Sequence, residues 1–148
     1  NHLKFFTNWV FGIYLILILM DITGKKIKRE LWESIQALYI SVCLNGLLIL
    51  LFNGNSFILK YKKSLPYIHL INFQSHLLPL VFIYFYKPKN LVGVSNKRNS
   101  FIFALIIYFL YTLFFNSLNI YALTPQSIFY SFSFTILIFI YIINRIET

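Results

Sequence analysis

The strongest constraint on the fold of this chain is that five long runs are apolar and contain no charged residue except Asp21, at the end of the first run. Each run has close to the ~20 residues that a helix needs to cross the hydrocarbon core of a bilayer. Strands of a membrane barrel would alternate in polarity and be about half as long, so continuous runs favour helices. We predict an all-α fold, a polytopic transmembrane helical bundle with about five spans in one membrane domain covering residues 1–148. The predicted spans are residues 5–21, 34–52, 66–86, 101–118 and 127–143.

The composition also indicates a membrane protein. Of the 148 residues, 59% are hydrophobic and only 11% are charged, and the mean hydropathy is +0.72. An ordinary soluble domain is about 25% charged. On a soluble protein the net charge of +9 would suggest a nucleic-acid partner, but here it predicts contact with anionic lipid headgroups and no nucleic acid. Cys43 lies within an apolar run, so we expect a buried thiol and no disulfide.

Most of the basic residues lie in two loops, after the first and third runs. With five spans, these loops and the C-terminus share one side, which the positive-inside rule places in the cytosol or the matrix. We predict membrane lipids and other membrane subunits as partners, and no cofactor apart from a bound phospholipid such as cardiolipin. The predicted headgroup-binding residues are Lys25, Lys26, Lys28, Arg29, Lys87, Lys89, Lys97 and Arg98.

The third run carries most of the polarity found within these segments. His69, Asn72 and His76 recur at i, i+3 and i+7, which places them within one arc of a helix. Polar side chains inside a membrane usually face a bundle interior, a partner or a cavity, so we expect the other spans to be built around this helix. The two histidines are about 10 Å apart along the helix, too far to share an ion. We therefore expect no metal site.

The ends of the runs carry recognisable signals. Asn53-Gly54-Asn55 favours a turn that closes the second span, and the uncharged segment from Asn119 to Pro125 favours another before the fifth. Trp9 and Trp32 lie near span ends, where tryptophan commonly anchors a helix at the membrane interface.

One set of residues has the types needed for nucleophilic catalysis. A hydroxyl nucleophile needs a nearby base that is held by a third group. His76 is a candidate base, and Asn72, one helical turn earlier, is placed to orient its ring. Thr7, Ser75 and Thr112 are candidate hydroxyls. Interhelical hydrogen bonds that only hold the bundle together also explain these residues, and the sequence leaves both interpretations open.

The first run also resembles a known pattern. The opening LKFFTNWVFGIYLILILMD is similar to the start of the core of the androgen-induced family of integral-membrane hydrolases. That pattern is an aromatic-rich K-x-x-T, an apolar span and an acidic residue, which Lys4, Thr7 and Asp21 match.

The third run continues the resemblance. Members of the family show a proline, then N-H-x-x-H, a second proline and a basic loop. This chain has Pro66, Asn72-Phe73-Gln74-Ser75-His76, Pro79 and then the basic residues of 87–98, so Phe73 replaces the first histidine of the motif. The similarity is partial, because the family has six spans and the one that precedes the threonine is absent from this sequence.

The resemblance implies a polytopic helical fold and, if the activity carries over, an intramembrane threonine-type hydrolase of fatty-acid esters. Thr7 would be the nucleophile, His76 the base and Asn72 a neighbour in the site. The departures from the family pattern favour a different hypothesis, a small non-catalytic accessory subunit of a larger membrane assembly. Its expected setting is a respiratory or ATP-synthase complex of the mitochondrial inner membrane, with the C-terminus on the matrix side.

Overall fold

The computed structural model describes residues 5–61, 68–115 and 125–145 of the chain, and this part is all-helical apart from two very short strands. The prediction of an all-α fold is therefore confirmed. Two strands of two residues each, β1 (Ile27–Lys28) and β2 (Leu91–Val92), pair in parallel. The helices are α1 (Phe6–Ile22), α2 (Arg29–Tyr61), α3 (Ile68–Phe85), α4 (Lys97–Phe114) and α5 (Pro125–Arg145).

Two segments of the described helices are long and apolar enough to cross a bilayer. They are Arg29–Leu48 within α2 and Lys97–Phe114, which is α4. Three further apolar segments are shorter, namely Phe6–Ile22, His76–Phe85 and Phe129–Arg145. These lengths and compositions are compatible with a membrane protein, while a bundle of five spans stays a prediction.

The second predicted span differs most from the observed helix. α2 runs without interruption from Arg29 to Tyr61, so the turn predicted at Asn53–Asn55 is helical backbone instead. Asn and Gly weaken a helix interior by roughly 1 kcal/mol each at most, and local preferences of this size are routinely overridden by the structure around them. The predicted turn before the fifth span lies outside the described residues except for Pro125. This proline begins α5, a position that suits its fixed φ angle and its missing N–H.

The centre of the bundle is α2, and the expectation that the third span would be central is wrong. α2 packs against α1, α3, α4 and α5. By contrast, α3 exposes Leu77, Leu78, Phe82 and Phe85 along its length. Of the polar side chains of α3 that the structure describes, His76 is buried and Gln74 is exposed.

The loop after α1 and the loop after α3 each contain a glycine with positive φ. Gly24 has a φ of 76° and Gly93 a φ of 86°. After α1, the N–H of Lys25 donates to the carbonyl of Met20 at 2.8 Å and that of Gly24 donates to Asp21 at 3.0 Å, the pattern of a Schellman C-cap. The chain can then enter β1 directly, which brings the start of α2 back beside the end of α1.

An aromatic cluster fills the contact between α1 and α2. Tyr14 packs against Trp32 with ring centroids 5.3 Å apart and against Tyr39 with centroids 5.5 Å apart. Trp32 is buried, so its predicted role as an interface anchor is wrong, whereas Trp9 is half-buried against the aromatic rings of α4. Cys43 is buried, as predicted.

The outer surface of the bundle is strongly apolar. Large hydrophobic side chains of four helices point away from the core, which is the reverse of what water favours. α4 shows this most clearly, because only 17% of its apolar segment is buried. The exposed set includes Leu15, Ile16 and Leu19 of α1, Val81, Phe82 and Phe85 of α3, Leu105, Phe109, Leu113 and Phe114 of α4, and Phe129, Leu137 and Tyr141 of α5.

Candidate functional site

Thr7 lies in the first turn of α1, on the buried stripe of that helix. The buried positions of α1 include Thr7, Val10, Tyr14, Leu17 and Asp21, at alternating spacings of three and four residues. This spacing keeps one face of a helix against its neighbours. The side chain of Thr7 is only 7% exposed, so a packing role already accounts for its position.

His76 is buried on α3 and contacts α2 at a glycine. A Cβ atom built on Gly46 would overlap the imidazole ring of His76, at both Nε2 and Cδ2. Any side chain larger than hydrogen would therefore displace the ring or the helix. Gly46 thus provides the space in which this histidine packs against the α2 backbone.

The predicted catalytic arrangement is described only in part. Thr7 and His76 are both buried, on α1 and α3. Asn72 and His69 belong to α3, but their side chains lie outside the described structure, as does all of Lys4. The predicted arrangement of Thr7, His76 and Asn72 stays a prediction.

A polar contact lies next to the histidine contact along α2. The side-chain amide of Asn45 donates to the hydroxyl of Ser131 on α5 at 2.6 Å. Because Asn45 and Gly46 are adjacent, α2 contacts α5 through one residue and α3 through the next. This pair of contacts fixes the positions of three helices at one level of the bundle.

Two buried tyrosines have hydroxyl groups that lack a hydrogen-bond partner within the described structure. These are Tyr14 and Tyr39, whose side chains are both fully buried and in ring contact. Most buried hydroxyls in proteins are hydrogen-bonded, and an unpaired one costs about 1–3 kcal/mol. The aromatic cluster therefore gains its stability from packing rather than from hydrogen bonding.

Several hydrogen bonds hold the side chain of Asp21, which the sequence marked as the end of the first span and as the acidic residue of the family pattern. Its carboxylate accepts from the hydroxyl of Tyr86 at 2.7 Å, the N–H of Asn90 at 2.7 Å and the N–H of Lys89 at 3.1 Å. The side-chain amide of Asn90 also donates to the backbone carbonyl of Asp21 at 2.8 Å. We call this set of hydrogen bonds the Asp21 clamp, because it joins the end of α1 to the loop after α3.

The clamp favours the ionised carboxylate. The hydroxyl of Tyr86 and the backbone N–H groups of Lys89 and Asn90 all donate to it. Hydrogen bonds donated to a carboxylate stabilise its charged form, so these donors offset the cost of burying the charge.

Two further carboxylates are engaged at the same end of the bundle. Glu30 accepts from the side-chain amide of Asn99 at 2.9 Å, and Glu33 accepts from the hydroxyl of Ser95. The hydroxyl of Ser34 also donates to the backbone carbonyl of Ser100 at 2.6 Å. These contacts join the start of α2 to the start of α4.

The basic residues of the two loops lie in the two chain segments that these carboxylates join. We call residues 21–33 and 86–100 together the loop layer. Its two segments are joined by the Asp21 clamp, by the pairing of β1 with β2, and by a hydrogen bond from Arg29 Nε to the carbonyl of Gly93 at 3.2 Å. Arg29 is half-buried, and the other seven predicted headgroup-binding residues are exposed: Lys25, Lys26, Lys28, Lys87, Lys89, Lys97 and Arg98.

Comparison with known proteins adds no assignment. No protein-family model, no curated protein and no solved structure matches the chain. The resemblance to the androgen-induced family therefore stays a prediction. Within the part of the chain that the structure describes, no three His, Cys, Asp or Glu side chains converge as a metal site would require.

Proposed function

We propose that this chain is an integral membrane protein whose five helices cross the bilayer, and that it acts as a non-catalytic accessory subunit of a larger membrane assembly. The observation that carries the proposal is the apolar outer surface of the bundle. Side chains such as Phe82, Phe109 and Leu137 are more than half exposed. Their exposure to water would be unfavourable, whereas lipid chains or neighbouring helices would cover them.

The helix lengths support five spans. α1 has 17 residues, α3 has 18 and α5 has 21. At 1.5 Å per residue these helices are about 25–31 Å long, close to the ~30 Å of a hydrocarbon core. The 20-residue apolar segment of α2 and the 18 residues of α4 have similar lengths, which supports five crossings.

The buried and half-buried polar side chains support a structural role. Asn45 and His76 lie at helix contacts, and the carboxylates of Asp21, Glu30 and Glu33 hold the loop layer together. The positive charge of the loop layer suits the matrix side of a mitochondrial inner membrane, which is rich in anionic lipid. A respiratory or ATP-synthase complex is the proposed assembly.

Native electrophoresis of membranes after extraction in a mild detergent tests this function. The chain should resist extraction by alkaline carbonate and should migrate in a complex far larger than its 17.6 kDa. Mass spectrometry of that complex should then identify its other subunits. Migration of the chain alone would contradict the accessory role, and release by carbonate would contradict membrane insertion.

The threonine-type lipid-ester hydrolase is a second candidate, supported by the burial of both Thr7 and His76. A serine-hydrolase-type covalent probe should then label Thr7 in the folded protein, and His76→Ala should abolish the labelling because the base is lost. Thr112→Ala is a control, since this hydroxyl donates to the carbonyl of Phe109 within its own helix. Absence of labelling in a folded preparation would count against the hydrolase.

A further inference from the structure

The two basic loops lie side by side and form one continuous surface. β1 and β2 pair in parallel with Ile27 opposite Leu91 and Lys28 opposite Val92. The N–H of Ile27 also donates to the carbonyl of Asn90 at 3.0 Å. Neighbouring strands lie about 5 Å apart, so the backbone that carries Lys26 and Lys28 lies beside the segment that follows Lys89.

The Asp21 clamp determines where the second loop lies. The N–H groups of Lys89 and Asn90 both point at the carboxylate, and the hydroxyl of Tyr86 holds it from the end of α3. The two loops are separated by more than 60 residues in sequence, so a contact of this kind is needed to bring their cations together. A buried acidic residue therefore organises a basic surface.

The carboxylates of the loop layer face neutral donors. Asp21, Glu30 and Glu33 accept hydrogen bonds from hydroxyl, amide and backbone N–H groups. These hydrogen bonds hold the carboxylates within the layer, while the side chains of Lys25, Lys26, Lys28 and Lys89 are exposed. The layer has eight Lys and Arg side chains against these three carboxylates, so its outer side is strongly positive.

We propose that Lys26, Lys28 and Lys89 form a composite site for the phosphates of an anionic lipid headgroup, and that the Asp21 clamp assembles this site. The inference deepens the proposed function and rests on the chain lying in a bilayer, because only then does the exposed side of the layer meet headgroups. Cations from two loops favour a lipid with two phosphate groups over a lipid with one. Loss of the Asp21 carboxylate should weaken lipid binding even though it makes the layer more positive.

Simple electrostatics predicts the opposite result, which makes the test decisive. If only net charge mattered, Asp21→Ala would bind anionic lipid more tightly, by about fivefold for one unit of charge near a membrane surface. If the clamp assembles the site, Asp21→Ala should bind anionic lipid at least about fivefold more weakly, because Lys89 would move away from Lys26 and Lys28. Glu30→Gln is the charge-matched control, because glutamine keeps an acceptor for Asn99.

The experiment is a lipid titration of the detergent-solubilised full-length chain, read by native mass spectrometry. The probes are diphosphatidylglycerol, phosphatidylglycerol at equal phosphate concentration, and phosphatidylcholine. Wild type should bind the two-phosphate lipid most tightly, Asp21→Ala should lose this preference, and Glu30→Gln should keep it. Binding by Asp21→Ala that is as tight as binding by Glu30→Gln would overturn the proposal.

An engineered disulfide distinguishes loss of the lipid site from loss of the fold. Ile27 and Leu91 are directly paired, a spacing within reach of a disulfide, so Ile27→Cys and Leu91→Cys can link the loops covalently. In the Asp21→Ala background, oxidation should restore the preference for the two-phosphate lipid and reduction should remove it. No restoration in a protein with intact helical content would contradict the composite site. Failure of the wild type to insert into bilayers would instead refute the proposed function.

Discussion

At the scale of single residues, the contact between His76 and Gly46 shows how a polar side chain is accommodated within the bundle. The imidazole occupies the space in which a Cβ on residue 46 would lie. This explains a histidine in an apolar helix without assigning it any chemistry. A catalytic base would need its ring nitrogen to reach a hydroxyl, whereas a packing residue needs only the matching gap on α2.

The matching gap predicts the effect of filling it. Gly46→Ala should lower the free energy of unfolding in detergent by about 1–3 kcal/mol, because the methyl group overlaps the imidazole. Adding His76→Ala removes the overlap, so the double variant should be more stable than the sum of the two single losses predicts. Gly12→Ala is the matched control, since a Cβ there meets nothing within 4 Å. It should be neutral or slightly stabilising, because alanine favours a helix. Equal effects of the two glycine variants would contradict the contact.

The buried tyrosines predict a difference in sign between two otherwise similar substitutions. Tyr39→Phe removes a buried hydroxyl that lacks a partner in the described structure, so the free energy of unfolding should stay the same or rise. Tyr86→Phe removes a donor to the Asp21 carboxylate and should lower it by about 1.5–3 kcal/mol. Chemical unfolding followed by far-ultraviolet circular dichroism measures both. A loss of stability in Tyr39→Phe similar to that in Tyr86→Phe would show that Tyr39 is hydrogen-bonded after all.

At the scale of helices and loops, the sequence predicts the elements better than their connections. The helices were foreseeable because an apolar run of sufficient length has few other stable forms. The ends of the helices were harder to predict, because Asn53–Asn55, which favour a turn, are helical within α2. The role of Asp21 could not be read at all, because its partners follow α3, 65 or more residues away, and carry no motif. The glycines at 24 and 93 were the one local sign that both loops turn sharply.

The Asp21 clamp predicts a loss of stability in acid. Protonation removes the negative charge to which Tyr86, Lys89 and Asn90 donate, so the contribution of the clamp to stability is lost once the pH is low enough to protonate the carboxylate. Thermal unfolding of the wild type should therefore shift to lower temperature below about pH 4. Asp21→Asn lacks this titration and should lose less stability over the same range, although it is less stable at pH 7. Parallel curves for the two proteins would mean that the clamp does not depend on the charge.

At the scale of the whole molecule, the apolar outer surface and the loop layer indicate the same orientation of the bundle in a membrane. The ends of α1 and α3 and the starts of α2 and α4 meet in the loop layer, since Asp21 contacts Asn90 and Glu30 contacts Asn99. The aromatic pair of Phe101 and Phe139, with ring centroids 5.8 Å apart, brings the C-terminal part of α5 to the start of α4. Arg145 therefore lies towards the same end as the two basic loops.

This arrangement predicts an odd number of crossings, with both basic loops and the end of α5 on one side of the membrane. Single cysteines introduced as Lys26→Cys, Lys97→Cys and Arg145→Cys in a Cys43→Ala background should react with a membrane-impermeant maleimide from the same side of sealed proteoliposomes. Gln74→Cys is the control, because this side chain is exposed on α3 and would face lipid, where a thiol reacts slowly in any orientation. Labelling of Arg145→Cys from the side opposite to Lys26→Cys would require an even number of crossings. One of the five helices would then lie outside the hydrocarbon core, and the exposed apolar face of that helix would have to be covered by another subunit rather than by lipid.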